Sequence, residues 1–282
     1  MAMHFDVPTP LQYFASLVQE EPIALLEAAA CIGHDEDPRL DVQQVLDQVD
    51  AWLARLQRRI PADAAALQRL GLLQQFFFRE LGFAGNLNDY YAPENSYLHA
   101  VVRTRRGIPI SLAVLWLELA QAIGLKAFGV SFPGHFLVKV RLTQGWAVID
   151  PMTGESLSRE AVSERLQLVL PADAPVHDDA LIEANLRAAP PRETLARMLH
   201  NLKEIHHAAQ DWQRLLAVHD RLLVLLPRDW PEWRDRGLTR MQLGQMQEAA
   251  QDLQTYLDHA RQAEDAQAIT MLVQALRSGG AM

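Results

Sequence analysis

The sequence predicts an α+β domain followed by an all-α repeat region, and three observations carry that expectation. A helix-length run opening at Ser111 and closed by Gly124 is apolar on nearly every side, as in a helix enclosed by protein rather than lying on its surface. Three β-type segments come next, Ala127 to Phe132, His135 to Leu142 and Trp146 to Ile149, punctuated by Pro133-Gly134 and Gln144-Gly145; they read as adjacent antiparallel strands. Farther on, the chain matches itself at an offset that aligns Leu215 with Ala249 and His219 with Leu253, the period of a stacked two-helix unit.

The preceding stretch, from Pro10 to about Arg106, is helical almost throughout. Val42, Val45, Val49, Trp52, Leu53, Leu56 and Ile60 recur every three or four residues and line one helix face. After Pro61 a second helix runs from Ala64 to Leu81 and ends in Phe76, Phe77 and Phe78 before Gly82. Asn95 or Ser96 then caps a short helix reaching Arg105, since Asn and Ser are preferred at that position. A further short helix is expected around Ser158 to Leu166. The polar, proline-bearing stretch PADAPVHDDA and then Pro190-Pro191 have the composition of a join between domains. The expected domains are residues 1–180 and residues 191–278, with the boundary between about Pro171 and Pro191.

Composition fits two ordinary domains. The chain has 282 residues, 49% apolar and 22% charged, and single cores seldom grow past roughly 250 residues. Its 26 basic and 35 acidic residues give a net charge of −9, which disfavours a nucleic-acid or anionic-membrane partner. Cys31 is the single cysteine, so no internal disulfide or Cys-rich zinc site can form; in LLEAAACIG it reads as a buried small residue. The opening MAMHFDVPTPLQYF lacks the basic-then-apolar pattern of a leader. A cytoplasmic protein is expected, with no membrane span.

In the C-terminal part, Trp233, Gly237, Ala249 and Leu253 make the second unit resemble a tetratricopeptide repeat, whose small residues let paired helices approach closely. The first unit carries Leu199, Lys203 and Leu215 at the corresponding places. Two units and a closing helix, about Glu264 to Arg277, fall short of the roughly three that such stacks need, so burial against the first domain is expected to supply the rest. His200, His206, His207 and His219 read as ordinary, partly exposed helix histidines, without the matched spacing of a metal site.

Three segments carry candidate chemistry: Arg106-Gly-Ile-Pro-Ile-Ser111, Pro133-Gly-His135 and Val148-Ile-Asp150. A helix start stabilises an anion, a histidine can take a proton, and an acid can hold the imidazole tautomer. That assigns Ser111 as nucleophile, His135 as base and Asp150 as orienter. The alternative is that Ser111 satisfies backbone groups in the first helical turn. Asn95 is a possible polar donor over that helix start, or a cap. A two-residue turn at Gln144-Gly145 sets Lys139 opposite Asp150; direct opposition of His135 needs a longer loop.

GIPISLAVLWLELAQAIGL, GVSFPGHFLVKV and WAVIDPMTGE, with Asn95-Ser96 and EDPRLD, resemble the transglutaminase-like superfamily, specifically its bacterial SirB-type branch with C-terminal tetratricopeptide repeats. The resemblance implies a papain-like α+β core and, typically, acyl transfer or hydrolysis at amides. It places the superfamily's catalytic cysteine at Ser111, its histidine at His135 and its aspartate at Asp150. A serine hydroxyl does not ionise as a thiol does, so it needs its proton removed during attack. Two readings follow: a non-catalytic or weakly catalytic pseudoenzyme that binds a protein or peptide partner through its cleft and repeats, or a serine-dependent amide or ester hydrolase or acyltransferase. Neither a nucleotide loop nor a metal-ligand cluster is visible, so no cofactor is expected.

Overall fold

The computed structural model describes residues 8–279; the opening heptapeptide of the leader reading lies outside them. Its helices in chain order are α1 (Pro10–Gln19), α2 (Leu25–Cys31), α3 (Val42–Gln57), α4 (Ala66–Gln74), α5 (Leu98–Thr104), α6 (Pro109–Ala122), α7 (Arg159–Gln167), α8 (Asp179–Asn185), α9 (Pro191–Ala208), α10 (Trp212–Leu225), α11 (Trp230–Gln242), α12 (Met246–His259) and α13 (Ala266–Gly279). The strands are β1 (Ala84–Gly85), β2 (Arg106–Gly107), β3 (Ala127–Val130), β4 (Leu137–Arg141), β5 (Trp146–Ile149) and β6 (Ser156–Leu157). Contacts gather these into two compact units: Pro22–Gly33 with Arg39–Met198, and the segment up to Glu21 with His34–Pro38 and the chain from Leu199 on.

The first unit is α+β, as the sequence predicts. Its antiparallel sheet has the order β3-β4-β5-β6. Leu137 on β4 joins Val130, Val148, Val162, Leu166, Val176 and Ile182 in one cluster, which covers one sheet face with α7, α8 and the chain between them. Side chains alternate along a strand, so Val138 and Val140, both fully buried, point to the other face, where α6 packs on β3 and β4. The core thus lies around α6, which also meets α2, α3, α4 and α5. On α3 the expected face is the buried one, with Val42, Val45, Val49, Trp52 and Leu56 inside. The second predicted helix instead passes from α4 into a π-helical turn, Gln75–Glu80.

PADAPVHDDA is exposed along most of its length, and Val176 is its one buried residue. Val176 and Ile182 are buried on the sheet, and Ala189 bridges to Gly129 beside β3. By contacts the first unit includes the chain as far as Met198.

The second unit contains two helix pairs and a closing helix, α13. Gly237 shows why small residues matter there: a Cβ at that position would lie 2.8 Å from Leu253 Cγ and 3.2 Å from the Ala249 carbonyl. Further burial comes from early in the chain. Helix α1, capped by Thr9, packs on α10 and buries Phe14 and Val18. The expected domain 1–180 had assigned this helix to the first domain. Its apolar side covers repeat surface that two units leave bare, and Asp35, from the same early region, pairs with Arg221 of α10 at 2.7 Å. Among the described residues no helix is long and apolar enough to cross a membrane.

Candidate functional site around His135 and Asp150

Helix α6 starts with Pro109 at its first position, so Ser111 is the third helical residue. From there a short side chain can reach back to the unpaired N–H before the helix. The Ser111 hydroxyl oxygen accepts the Ile108 N–H at 3.1 Å, and its proton faces the Asn95 carbonyl at 2.6 Å and the Ile108 carbonyl at 3.0 Å. The residue is 0% exposed, and His135 is not among its partners. Gly107 makes room, since a Cβ there would lie 2.7 Å from the Ser111 oxygen. Ser111→Ala is expected to cost about 1 kcal/mol by removing these hydrogen bonds, since the Ile108 N–H still reaches the Asn95 carbonyl and the Ile108 carbonyl still accepts the Leu112 N–H; a lower urea midpoint reads it.

Asn95 does fold over this helix start, but through its backbone carbonyl. Its side-chain amide donates to the Asp89 carbonyl at 2.6 Å and the Tyr90 carbonyl at 3.2 Å, and its side-chain oxygen accepts from Asn86 at 3.1 Å. It does not cap α5. The residue before that helix is Tyr97, and no side chain caps it, because Asn95 sits in a separate 3-10 turn, Pro93–Asn95.

His135 and Asp150 do meet: Nε2 lies 3.0 Å from Oδ1. The register is neither of the two considered from sequence. Val138 pairs with Ile149 and Arg141 with Trp146, while the Leu142 N–H donates to the Gly145 carbonyl at 3.0 Å. The tight turn is therefore Thr143-Gln144. One further step places Leu137 opposite Asp150, with His135 two residues beyond it on the same face. Such diagonal neighbours are about 7–8 Å apart, within reach of a ring. His135 also lies ahead of β4, its N–H bonded to the Phe132 carbonyl at 3.1 Å, with Gly134 at φ +67° shaping the turn.

Asp150 is held on every side. Its Oδ1 also accepts the Met152 N–H at 2.9 Å, and its Oδ2 accepts from Arg165 of α7 at 2.7 Å. Burial pushes the carboxyl up, yet the His135 hydrogen bond and charge, the Met152 N–H and Arg165 outweigh it and bring its pKa down to about 2. An ionised carboxylate only accepts, so Nε2 of His135 carries the proton in this pair.

The depressed Asp150 pKa has a consequence for stability. Its contribution is present above the unfolded value of 3.8 and is lost as pH falls through about 2, a span of about 2 kcal/mol. Asp150→Asn is expected to flatten that leg of a stability-against-pH curve measured by urea unfolding.

Two guanidiniums at this site were not legible in the sequence. Arg165 sits on Asp150, and Arg197 of α9 donates to Ser131 Oγ at 2.8 Å and to the Phe132 carbonyl at 3.0 Å. Neither lies in the three motif segments, and a helical arginine carries no signal of which strand turn it will reach.

The repeat histidines are not uniformly exposed. His206 and His219 are buried, and His219 is bonded by Glu232 at Nδ1 and by Thr239 at Nε2, 3.0 Å away. His200, Asp229 and Glu232 offer ligand atoms within 4.8 Å of one another. Glu232, however, already serves His219 and Lys203 through its two oxygens, so a cation there would meet the Lys203 ammonium. Cys31 is buried in α2.

Residues 43–200 match the model of the transglutaminase-like superfamily, and residues 202–274 match a tetratricopeptide repeat. A UPF0162 protein of Xylella fastidiosa is 36% identical over 249 residues, 88% of each chain. One from Pseudomonas aeruginosa is 32% identical, covering 77% of this chain and 78% of its own. The protein SirB1 of Salmonella typhimurium is 27% identical, covering 78% of this chain and 81% of its own.

Proposed function

Because this chain belongs to the transglutaminase-like superfamily and carries tetratricopeptide repeats, we propose that it binds a protein or peptide partner through the His135 cleft and the repeats, without using Ser111 as a nucleophile. One observation carries this reading. The Ser111 hydroxyl is fully buried and engaged with three backbone groups, whereas a nucleophile must reach both its base and its substrate. The His135–Asp150 pair is meanwhile kept. In this role the pair orients and hydrogen-bonds a bound chain.

The repeats fit the same task, since stacked helix pairs present concave surfaces for extended partners. Within the repeat unit, Lys203, Trp212, Leu238 and Met241 line one such hollow. A cytoplasmic setting is part of the reading, supported by the single cysteine. Affinity capture with the full chain tests it. The same partner should come down with the native protein and with Ser111→Ala, and be lost with His135→Ala. Loss with folded Ser111→Ala would favour the serine hydrolase or acyltransferase reading instead.

A further inference from the structure

The sheet face under α7 and α8 is covered at one end only. Residues opposed across two strands share a face, and β4 pairs with its neighbours at Phe128↔Lys139 and Trp146↔Arg141. The Arg141 N–H also donates to the Lys126 carbonyl at 2.9 Å, which brings Lys126 to the same side. Lys126, Phe128, Lys139, Arg141 and Trp146 therefore continue the face that carries Val130, Leu137 and Val148, beyond the point where α8 stops. Leu186, the residue after α8, accepts the Lys139 ammonium on its carbonyl at 2.5 Å. Past it, Phe128 and Trp146 are 39% and 47% exposed, with Lys126 and Arg141 exposed beside them. From His135 to Arg141 an extended chain runs about 20 Å, so this patch is separate from the cleft.

Its side chains hold one another in place. Lys139 Nζ lies 4.8 Å and the Arg141 guanidinium carbon 5.1 Å from the centre of the Trp146 ring, and Phe128 meets that ring edge-on with centres 6.0 Å apart. Cations already resting on an aromatic face lose less freedom when a ligand arrives, and Trp and Arg are enriched among the residues that carry binding energy at interfaces. The charge here also runs against that of the chain. The net is −9, yet among the described residues Lys126, Lys139 and Arg141 form no ion pair. The lysines of the whole chain are Lys126, Lys139 and Lys203, so all but Lys203 stand on this patch.

We propose that this end of the sheet is a docking surface for an acidic segment of a partner protein, separate from the His135 cleft. Carboxylates of the segment answer Lys126, Lys139 and Arg141, which also steers the encounter, and its apolar side chains cover Phe128 and Trp146. A nucleic-acid strand fits less well, because phosphate binding is summed over many cation contacts and the rest of this acidic chain opposes it.

The test uses the full chain and follows rhodamine-labelled probes by fluorescence anisotropy at low salt: a capped peptide of alternating Glu and Leu, its Gln counterpart, and a short oligothymidylate. The Glu peptide is expected to bind about tenfold more tightly than either of the others. It should also slow the acetylation of Lys126 by acetic anhydride, while Lys203, paired with Glu232 and Asp235, reacts as before. Lys126→Glu combined with Arg141→Glu should abolish the preference, and Trp146→Ala should weaken Glu-peptide binding several-fold; unchanged urea midpoints certify that these exposed changes leave the fold intact. A Glu peptide that binds no better than the Gln peptide, or whose preference survives the double charge reversal, overturns the proposal. So does tighter binding of the oligothymidylate, which assigns the patch to nucleic acid, and so does a salt-sensitive dimer of the free chain in sedimentation that the double variant abolishes, which assigns it to a second copy. None of these results bears on the His135 cleft.

Discussion

Replacing Asp35 with alanine is expected to destabilise the repeat unit by about 3–5 kcal/mol, because it strands a buried charge. The Arg221 side chain is 1% exposed, and its partner carboxylate 9%. Two parallel hydrogen bonds of 2.7 Å join them, with the guanidinium carbon 5.1 Å from the centre of the Phe14 ring. Arginine does not shed its proton when buried, so the variant must hold an unpaired cation or open the α1–α10 contact to water. The urea midpoint of the repeat unit should fall sharply. Asp35→Leu combined with Arg221→Met should recover much of the loss, since an apolar pair of similar volume replaces a buried ion pair at little cost.

Glu232→Ala is expected to be nearly as damaging. One oxygen of Glu232 bonds His219, and the other lies 2.6 Å from the Lys203 ammonium. Burial pushes the carboxyl up, but His219 and Lys203 hold it below the usual carboxylate range. Removing it leaves His219, 1% exposed, with Thr239 alone, and leaves Lys203 with Asp235 at 2.8 Å. A loss of about 2–4 kcal/mol follows from leaving buried polar groups unanswered. Thermal melting at neutral pH reads it, and Glu232→Gln, which keeps the shape and one acceptor, should lose distinctly less.

These two networks mark where the sequence stops being legible. Patterns with a short period could be read: the all-round apolar α6, the three strands, the buried stripe of α3, and the repeat of Leu215 at Ala249. Each is a local consequence of which side a residue faces. Asp35 and Arg221 are 186 positions apart and belong to no periodic pattern, so neither their pairing nor the docking of α1 on α10 had a signal. Lys203 stands where a small residue was expected, and only the structure gives the reason: it reaches Glu232 and Asp235 on α11.

The candidate site was legible in part. Its segments were found because a helix start, a Gly-containing turn and a strand end each have a composition. The His135–Asp150 pairing depended on one residue of hairpin register, and Gly145, at φ +87°, lies just after the turn rather than within it. Ser111 was read both ways. What decides between the readings is the Asn95 carbonyl, a backbone atom with no trace in residue identities. Arg165 and Arg197 came from helices whose sequences say only that they are exposed and charged.

The reading of the cleft as a binding site without a working nucleophile turns on the Ser111 oxygen. Treating the folded full-length chain with a fluorophosphonate and weighing the intact protein addresses it directly. No added mass at Ser111 is predicted, because the hydroxyl is closed in by Asn95 and Ile108. A stoichiometric adduct mapping to Ser111 would contradict that reading and make the serine a reactive group.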